Sequence, residues 1–128
     1  MKEGTGQLDS PSGILHSARY SFGSRYETGP GINPEELVAG AHAGCYAMML
    51  AGVLSEAGFP PDQLEVTAEV TIENTPPAGW TIAASHLKLN ARVLNIPPDK
   101  FAALAEQAKA CPVTRALNVA VTLDAKLV

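Results

Sequence analysis

The sequence predicts one α+β domain over residues 1–128, and three observations lead to that prediction. Residues 38–54 form a long run of apolar and small side chains, which is typical of a buried helix. Residues 64–73 alternate between apolar and polar side chains, as a half-buried strand does. The full order is strands, a long helix, two strands, a helix and a strand, with no internal repeat and no linker.

Composition and charge describe an ordinary globular protein, with 46% hydrophobic and 17% charged residues. The net charge is −4 and the nine Lys and Arg residues are scattered, so we expect no nucleic-acid partner. The start, "MKEGTGQLDSPSG", has no apolar segment typical of a signal peptide. The apolar run is shorter than the roughly 20 residues of a membrane span. We therefore expect a cytoplasmic protein without a membrane partner, in which two cysteines are not a routine structural disulfide.

The first elements read from the N-terminus are short strands and then the long helix. The first 30 residues are rich in Gly, Ser and Pro, and we expect short strands at residues 14–15 and 20–22. "NPEE" starts the helix, with Asn33 as N-cap, Pro34 at the first helical position and Glu36 completing a loose capping box. Gly58 ends this helix.

The second half predicts two strands, a helix and a final strand. The alternation of residues 64–73 resumes at residue 80 and changes phase at residues 85–86, which indicates a β-bulge. "IPPDK" opens the second helix, and Pro112 disfavours helical backbone at Cys111, so that thiol should lie at a helix end. Residues 119–127 alternate as an antiparallel-type strand with one face toward solvent.

The long helix is apolar around its whole circumference, so we expect it to be buried on all sides. Gly40, Gly44 and Gly52, with the alanines between them, form a small-residue surface that another backbone can approach closely. Two coverings fit this pattern. One is the same helix of a second subunit, related by two-fold symmetry, and the other is the sheet and second helix of the same chain.

The two cysteines have several interpretations from pattern alone. Cys45, in the apolar helix, is either a small hydrophobic residue or a working thiol. His42 and Cys45 form an H-x-x-C on one helical face, which is half of a possible zinc site. Cys111 would have to be the third ligand, and His16 or His86 the fourth.

A peroxide-reducing thiol requires a lowered pKa, because the thiolate is the nucleophile. Cys45 lies too far along the helix for the N-terminal dipole to act, so a cation must be brought to it. Arg25 is a candidate for this cation and Glu35 for its partner, although an ordinary surface pair fits them as well. Ten positions of helix separate Glu35 from Cys45, about 15 Å. Either the helix breaks near Gly40, or a site is shared across a dimer interface.

Three segments, "NPEELVAGAHAGCYAMML", "FGSRYE" and "KACPVTRAL", closely resemble the OsmC/Ohr family of osmotically induced and organic hydroperoxide resistance proteins. "AHAGC" followed by "LSEAGF" is more similar to the OsmC branch. The resemblance runs from about residue 21 to residue 128. It implies an OsmC-like α+β fold, with a long central helix and a second helix packed with antiparallel-rich sheets in an intertwined homodimer. The N-terminal strand segment is shorter than is usual in the family, so the first strand is expected to be missing or differently paired.

The resemblance also implies a bacterial, cysteine-based peroxidase that reduces organic hydroperoxides and acts in oxidative or osmotic stress. By matching motif positions, Cys45 is the peroxidatic cysteine, Cys111 the resolving cysteine, Arg25 the activating arginine and Glu35 the residue that positions it. A Cys45–Cys111 disulfide would be recycled by a dithiol or a lipoylated protein, and no cofactor or metal is expected. We expect the substrate pocket to be lined by Phe22, Tyr46, Met48 and Met49. The alternatives are a non-catalytic redox sensor and a metal-binding protein of the same fold.

Overall fold

The computed structural model describes residues 3–128, which fold as two compact units, the first ending at Leu37 and the second comprising Val38–Val128. Strands β1 (Thr5–Leu8) and β2 (Ala18–Ser21) are followed by helices α1 (Phe22–Tyr26) and α2 (Pro34–Glu56). Strands β3 (Gln63–Thr75) and β4 (Gly79–Arg92) come next. Helix α3 (Pro98–Gln107), a 3₁₀ turn (Ala108–Ala110), helix α4 (Pro112–Ala116) and strand β5 (Ala120–Leu127) complete the chain.

The N-terminal unit contains a two-stranded antiparallel sheet, in which β1 pairs with β2. The strand predicted at residues 14–15 is wrong, because these residues lie in the connection between β1 and β2. The strand predicted at 20–22 ends at Ser21, where α1 begins. The Ser21 hydroxyl accepts from the Ser24 backbone N–H at 3.1 Å, and the Ser24 hydroxyl accepts from the Ser21 N–H at 2.9 Å. This reciprocal cap stabilises a short helix that the apolar pattern did not reveal.

Helix α2 begins and ends as its sequence predicts. The Asn33 side-chain oxygen accepts from the Glu36 backbone N–H at 2.7 Å, which satisfies one free donor of the first turn. Gly58 follows the helix with φ of +87°, and the Phe59 N–H returns to the Leu54 carbonyl at 2.8 Å. The helix is continuous from Pro34 to Glu56, so the break considered near Gly40 does not occur.

The prediction that α2 is buried on all sides is wrong for the single chain. Its fully buried side chains recur every fourth residue, at His42, Tyr46, Leu50 and Leu54, and so form one stripe. The glycines Gly40, Gly44 and Gly52 lie elsewhere, and a Cβ placed on any of them would meet nothing within 4 Å. By length and composition alone, α2 would also suffice to cross a membrane, but its buried stripe packs into the core of the second unit.

The C-terminal unit is built on a three-stranded sheet in the order β3-β4-β5, with β3 and β4 antiparallel. Thr71 pairs with Ala84 and Ile72 with Ile82, so Ala83 is an extra residue in β4. The predicted bulge therefore exists but lies at residue 83 instead of 85–86. It sets the phase that turns Ser85, Leu87, Leu89 and Ala91 toward the core, where α2 and α3 cover the sheet.

Strand β5 is parallel to β4, so the antiparallel-type strand predicted at the C-terminus is wrong in direction. Helices α3 and α4 lie between β4 and β5 in the chain and supply the long crossover that two parallel neighbours require. The alternation itself holds, since the even-numbered residues 120–126 are exposed and the odd-numbered residues 121–125 are half-buried. Alternation reports which face is covered, but it carries no information about strand direction.

Candidate active site

Two free thiols lie together in the C-terminal unit. Cys45, in the middle of α2, is half-buried and packs against the hydrophobic core. Cys111 is fully buried and has extended backbone (φ −66°, ψ 157°) between the 3₁₀ turn and α4. This confirms its predicted place at a helix end before Pro112. The two thiols are close enough for each to change the pKa of the other.

Their surroundings shift the pKa values of the two thiols in opposite directions. Burial has the largest effect and raises the pKa of Cys45; the Val113 backbone N–H lowers it by less, and the neighbouring Cys111 raises it further. Burial also opposes charge on Cys111, but hydrogen bonds from the Thr114 hydroxyl, the Thr114 and Val113 N–H groups and Cys45 outweigh it and lower the pKa of Cys111. Within this unit the pKa of Cys111 is thus lowered, whereas that of Cys45 is raised.

A chain of hydrogen-bonded polar groups, of which Thr114 is half-buried and the others are fully buried, leads away from Cys111. The Thr114 hydroxyl lies 3.3 Å from the Cys111 sulfur and 2.8 Å from Nε2 of His42. The other ring nitrogen of His42, Nδ1, lies 2.7 Å from the Ser85 hydroxyl. We call Ser85, His42 and Thr114 the hydroxyl–imidazole chain. Sequence analysis missed Ser85 and Thr114, although Ser85 is a polar residue in phase with Leu87 and Leu89.

A metal site receives no support from this geometry. Both nitrogens of His42 bond to hydroxyl groups, which occupies the lone pair that a metal would need. Within residues 3–128, no group of three or more His, Cys, Asp or Glu side chains is arranged to hold a metal ion.

The N-terminal unit holds an ion pair between Arg25 of α1 and Glu35. Nε of Arg25 donates to both carboxylate oxygens of Glu35, at 3.0 and 3.3 Å, and Nη2 donates to Oε1. The Glu35 side chain is only 12% exposed and that of Arg25 is 35% exposed. The hydrogen bond to Glu35 raises the pKa of Arg25, so the guanidinium is always charged. These three bonds fix the orientation of the guanidinium relative to the Glu35 carboxylate.

Arg25 also lines a cavity of this unit. The cavity has a volume of about 380 Å³, and its wall includes Phe22 and the aromatic rings of Tyr20 and Tyr26. The guanidinium carbon of Arg25 lies 5.1 Å from the centre of the Tyr26 ring, which is a cation–π distance. The cavity therefore combines a fixed positive charge with an apolar wall.

The other residues expected to line a pocket lie in the C-terminal unit. Tyr46 is fully buried, and its hydroxyl donates to the Ala105 carbonyl at 2.9 Å, so it is part of the core. Met49 is half-buried against the same core. Met48 is 79% exposed on α2.

Comparison with known proteins identifies the family. The family model described as OsmC-like protein matches residues 27–126, which is most of the chain. The chain belongs to the OsmC family. The peroxiredoxin OsmC of Escherichia coli K12 is 39% identical over 128 residues, covering 99% of this chain and 89% of that protein.

Solved structures of the OsmC/Ohr fold agree with this assignment. The organic hydroperoxide resistance protein OhrB of Bacillus subtilis superposes with a TM-score of 0.71 and 25% identity, covering 92% of this chain and 87% of that one. An organic hydroperoxide resistance protein from Elizabethkingia anophelis gives a TM-score of 0.69 and 26% identity over 94% of this chain and 86% of its own. The resemblance drawn from the three sequence segments is confirmed, and the α+β class with it.

Proposed function

We propose that this OsmC-family protein is a thiol-dependent peroxidase that reduces organic hydroperoxides to alcohols. The observation that carries the proposal is the pair of free thiols, Cys45 and Cys111, side by side in one unit. A family whose members include a peroxiredoxin and organic hydroperoxide resistance proteins supports this assignment. A thiol pair that cycles through a disulfide also suits the reducing cytoplasm, where we expect the protein to act.

In the proposed reaction, Cys45 is the nucleophile. Its thiolate attacks the distal peroxide oxygen, so an S–O bond forms, the O–O bond breaks and the alkoxide leaves to take up a proton. The Cys111 thiolate then attacks the resulting sulfenic acid, forms the disulfide and releases hydroxide, which a proton converts to water. A dithiol, either small or a lipoyl group on a protein, exchanges with this disulfide, restores both thiols and is itself oxidised.

The charge that activates Cys45 is assigned to Arg25, held in place by Glu35. Burial raises the pKa of Cys45, so the thiolate needs a cation that its own unit does not provide. The Arg25–Glu35 pair is such a cation, permanently charged and bonded in a fixed orientation. Phe22, which lines the same cavity as Arg25, would favour an apolar hydroperoxide chain over hydrogen peroxide. Met48 and Met49 of α2 remain proposed contacts of that chain.

We further propose that the protein is a homodimer that buries the open face of α2. This face carries the exposed Met48 and the glycines Gly40, Gly44 and Gly52, at which a Cβ would meet nothing within 4 Å beyond the adjacent backbone of α2. A second copy of α2 is the occupant that such a small-residue, apolar face suits. Of the two arrangements left open by the sequence, the continuous helix disfavours a break near Gly40. That supports a site in which Arg25 and Glu35 act on the Cys45 of the second subunit.

Rapid mixing of reduced protein with an alkyl hydroperoxide tests the peroxidase. We expect Cys45→Ser to abolish peroxide consumption, whereas Cys111→Ser should still complete one turnover and then stop as a sulfenic acid. If Cys45→Ser consumed peroxide as fast as the unmodified protein, the proposal would be wrong. Disulfide formation without repeated turnover, with a dithiol in excess, would instead indicate a redox sensor.

A mixing experiment tests the shared site. Cys45→Ser and Arg25→Ala are each expected to be inactive as pure dimers. After subunit exchange, half of the random dimers are mixed and each holds one complete site, so activity should return to about a quarter of the original. Absence of any recovery, with exchange verified by mass, would place Arg25 and Cys45 of one chain in the same site.

A further inference from the structure

The hydroxyl–imidazole chain contains polar side chains that are unusually deeply buried for their type. His42 and Ser85 are both fully buried, in α2 and β4, and Thr114 of α4 lies between His42 and Cys111. A buried polar group must find partners or it destabilises the fold. Each member of this chain has a partner, and the chain ends on a sulfur that the proposed reaction uses.

The protonation of His42 limits how the chain can be arranged. Burial lowers the pKa of His42, so the ring is neutral. A neutral imidazole donates with one nitrogen and accepts with the other. His42 therefore donates to one of its two partners, Ser85 or Thr114, and accepts a hydrogen bond from the other.

Two arrangements of these hydrogen bonds are possible, and they differ in whether the Ser85 hydroxyl donates to His42 or accepts from it. In the first, Ser85 donates to Nδ1, Nε2–H donates to the Thr114 oxygen, and the Thr114 hydroxyl is free to donate to the Cys111 sulfur. In the second, every bond is reversed and Ser85 accepts from Nδ1–H. Its own hydroxyl proton then has no acceptor, because among residues 3–128 the Ser85 hydroxyl bonds only to His42. The first arrangement gives every hydroxyl and ring N–H of the chain an acceptor, so it is the more stable one.

We propose that His42 is a positioning residue whose Nε2–H tautomer, fixed by Ser85, aims the Thr114 hydroxyl proton at the Cys111 sulfur. A hydroxyl that donates to sulfur stabilises the thiolate over the thiol. This agrees with the lowered pKa of Cys111, for which the Thr114 side chain is the largest favourable contribution. Cys45 and Tyr46 are titratable groups that interact with Cys111, and neither carries a positive charge.

The consequence for catalysis rests on the proposed function. As the resolving residue, Cys111 needs its thiolate to attack the Cys45 sulfenic acid. When the reductant attacks the disulfide at Cys45, Cys111 is the leaving group, and a thiolate of lower pKa leaves faster. A donor on the Cys111 sulfur would thus act in both half-reactions without touching the peroxide.

The tautomer is measured directly on the unmutated, reduced protein. In a long-range ¹H–¹⁵N correlation spectrum with ¹⁵N-labelled histidine, we expect His42 to show a proton on Nε2 and none on Nδ1. A proton on Nδ1 would overturn the proposal. Because no peroxide is used, this result is independent of whether the protein is a peroxidase.

The effect on sulfur is measured in a Cys45→Ser background, where Cys111 is the one remaining thiol. Thiolate absorbance against pH should give a Cys111 ionisation constant about tenfold smaller in Thr114→Val, because the donor is lost. Thr114→Ser should restore the original value, and Ser85→Ala should shift it in the same direction as Thr114→Val but less. An unchanged constant in Thr114→Val would overturn the proposal.

A matched control is present in the same sheet. The Thr122 hydroxyl bonds to Nδ1 of His86 at 2.6 Å, which is a second threonine–histidine pair, at an exposed position. Thr122→Val removes the same chemical group without reaching Cys111, so its ionisation constant should not change. A shift equal to that of Thr114→Val would mean that a general effect of the substitution, and not the aimed hydroxyl, is responsible, and would overturn the proposal.

Discussion

In the N-terminal unit the candidate functional group is a positive charge held near the surface, whereas in Val38–Val128 it is a pair of thiols packed against a hydrophobic core. Arg25 is held by several hydrogen bonds to a carboxylate and lines an open cavity. Cys45 has apolar neighbours, and its pKa is raised by burial. The N-terminal unit therefore holds a positive charge near the surface, and the C-terminal unit holds a partly buried thiol without a positive charge beside it.

This difference explains why neither region alone suits peroxide chemistry. A thiolate in an apolar core is costly unless a cation compensates it. A surface arginine, conversely, has no nucleophile to activate. In the proposed site, the apolar surroundings of Cys45 favour apolar substrates and Arg25 supplies the charge.

The largest expected effect comes from removing the charge. Arg25→Ala should lower the second-order rate constant for peroxide about 100-fold at neutral pH, because the Cys45 thiolate loses its cation. The pKa of Cys45 should rise further, so the rate should recover as pH increases. The rate of alkylation against pH measures this directly. Arg19→Ala, an exposed arginine of the same unit, should have no effect, and an equal loss there would contradict a specific role for Arg25.

A smaller effect is expected from replacing Glu35, which holds the Arg25 guanidinium in place. Glu35→Gln keeps the shape and one hydrogen-bond acceptor but removes the negative charge, so Arg25 is oriented less firmly. We expect roughly a tenfold loss in the peroxide rate constant with little change in unfolding free energy. Glu36→Gln is the matched control, since Glu36 is the exposed neighbour in the first turn of α2. If both variants lost the same activity, the charge of the first turn and not the Arg25–Glu35 pair would be responsible.

The buried side chain of His42 makes the free energy of unfolding depend on pH. Burial lowers the pKa of His42 in the folded state, so below about pH 6.5 the unfolded chain binds the proton first. The stability that depends on a neutral His42 is thus complete above that pH and is lost as the pH falls. One such proton changes the unfolding free energy by at most about 1.4 kcal/mol per pH unit.

Urea unfolding between pH 8 and pH 5 measures this slope. His42→Gln should flatten it, whereas His16→Gln, at an exposed position, should leave it unchanged. Equal slopes in the unmodified protein and in His42→Gln would show that the loss of stability in acid comes from other groups.

Local patterns predicted most of the fold. Caps and breakers located α2 through Asn33, Pro34 and Gly58, because these residues act on the backbone next to them. Alternation located the strands for the same reason. The direction of β5 and the short helix α1 were missed, because the first depends on a crossover of the chain and the second on a hydroxyl cap within an otherwise irregular segment.

The sequence likewise predicted one part of the candidate site and missed another. Motif resemblance pointed to Cys45, Cys111, Arg25 and Glu35, and the structure pairs the two thiols and the two charged residues. The phase of Ser85 with Leu87 indicates an inward side chain, but its partner His42 was not predictable, because it lies 43 positions away in the chain. Which charges act on which thiol stays a prediction.

The smallest expected effect distinguishes a covered from an uncovered face of α2. Gly44→Ala places a methyl group where nothing beyond the adjacent backbone of α2 lies within 4 Å. On a free helix surface this change stabilises by about 0.5–1 kcal/mol, whereas close packing against a second copy would reverse the sign. We expect destabilisation in urea at high protein concentration, together with a smaller dimer fraction by light scattering, and stabilisation once dilution separates the subunits. A gain that is the same at every concentration would mean that this face is free, and the proposed dimer would have to use another surface.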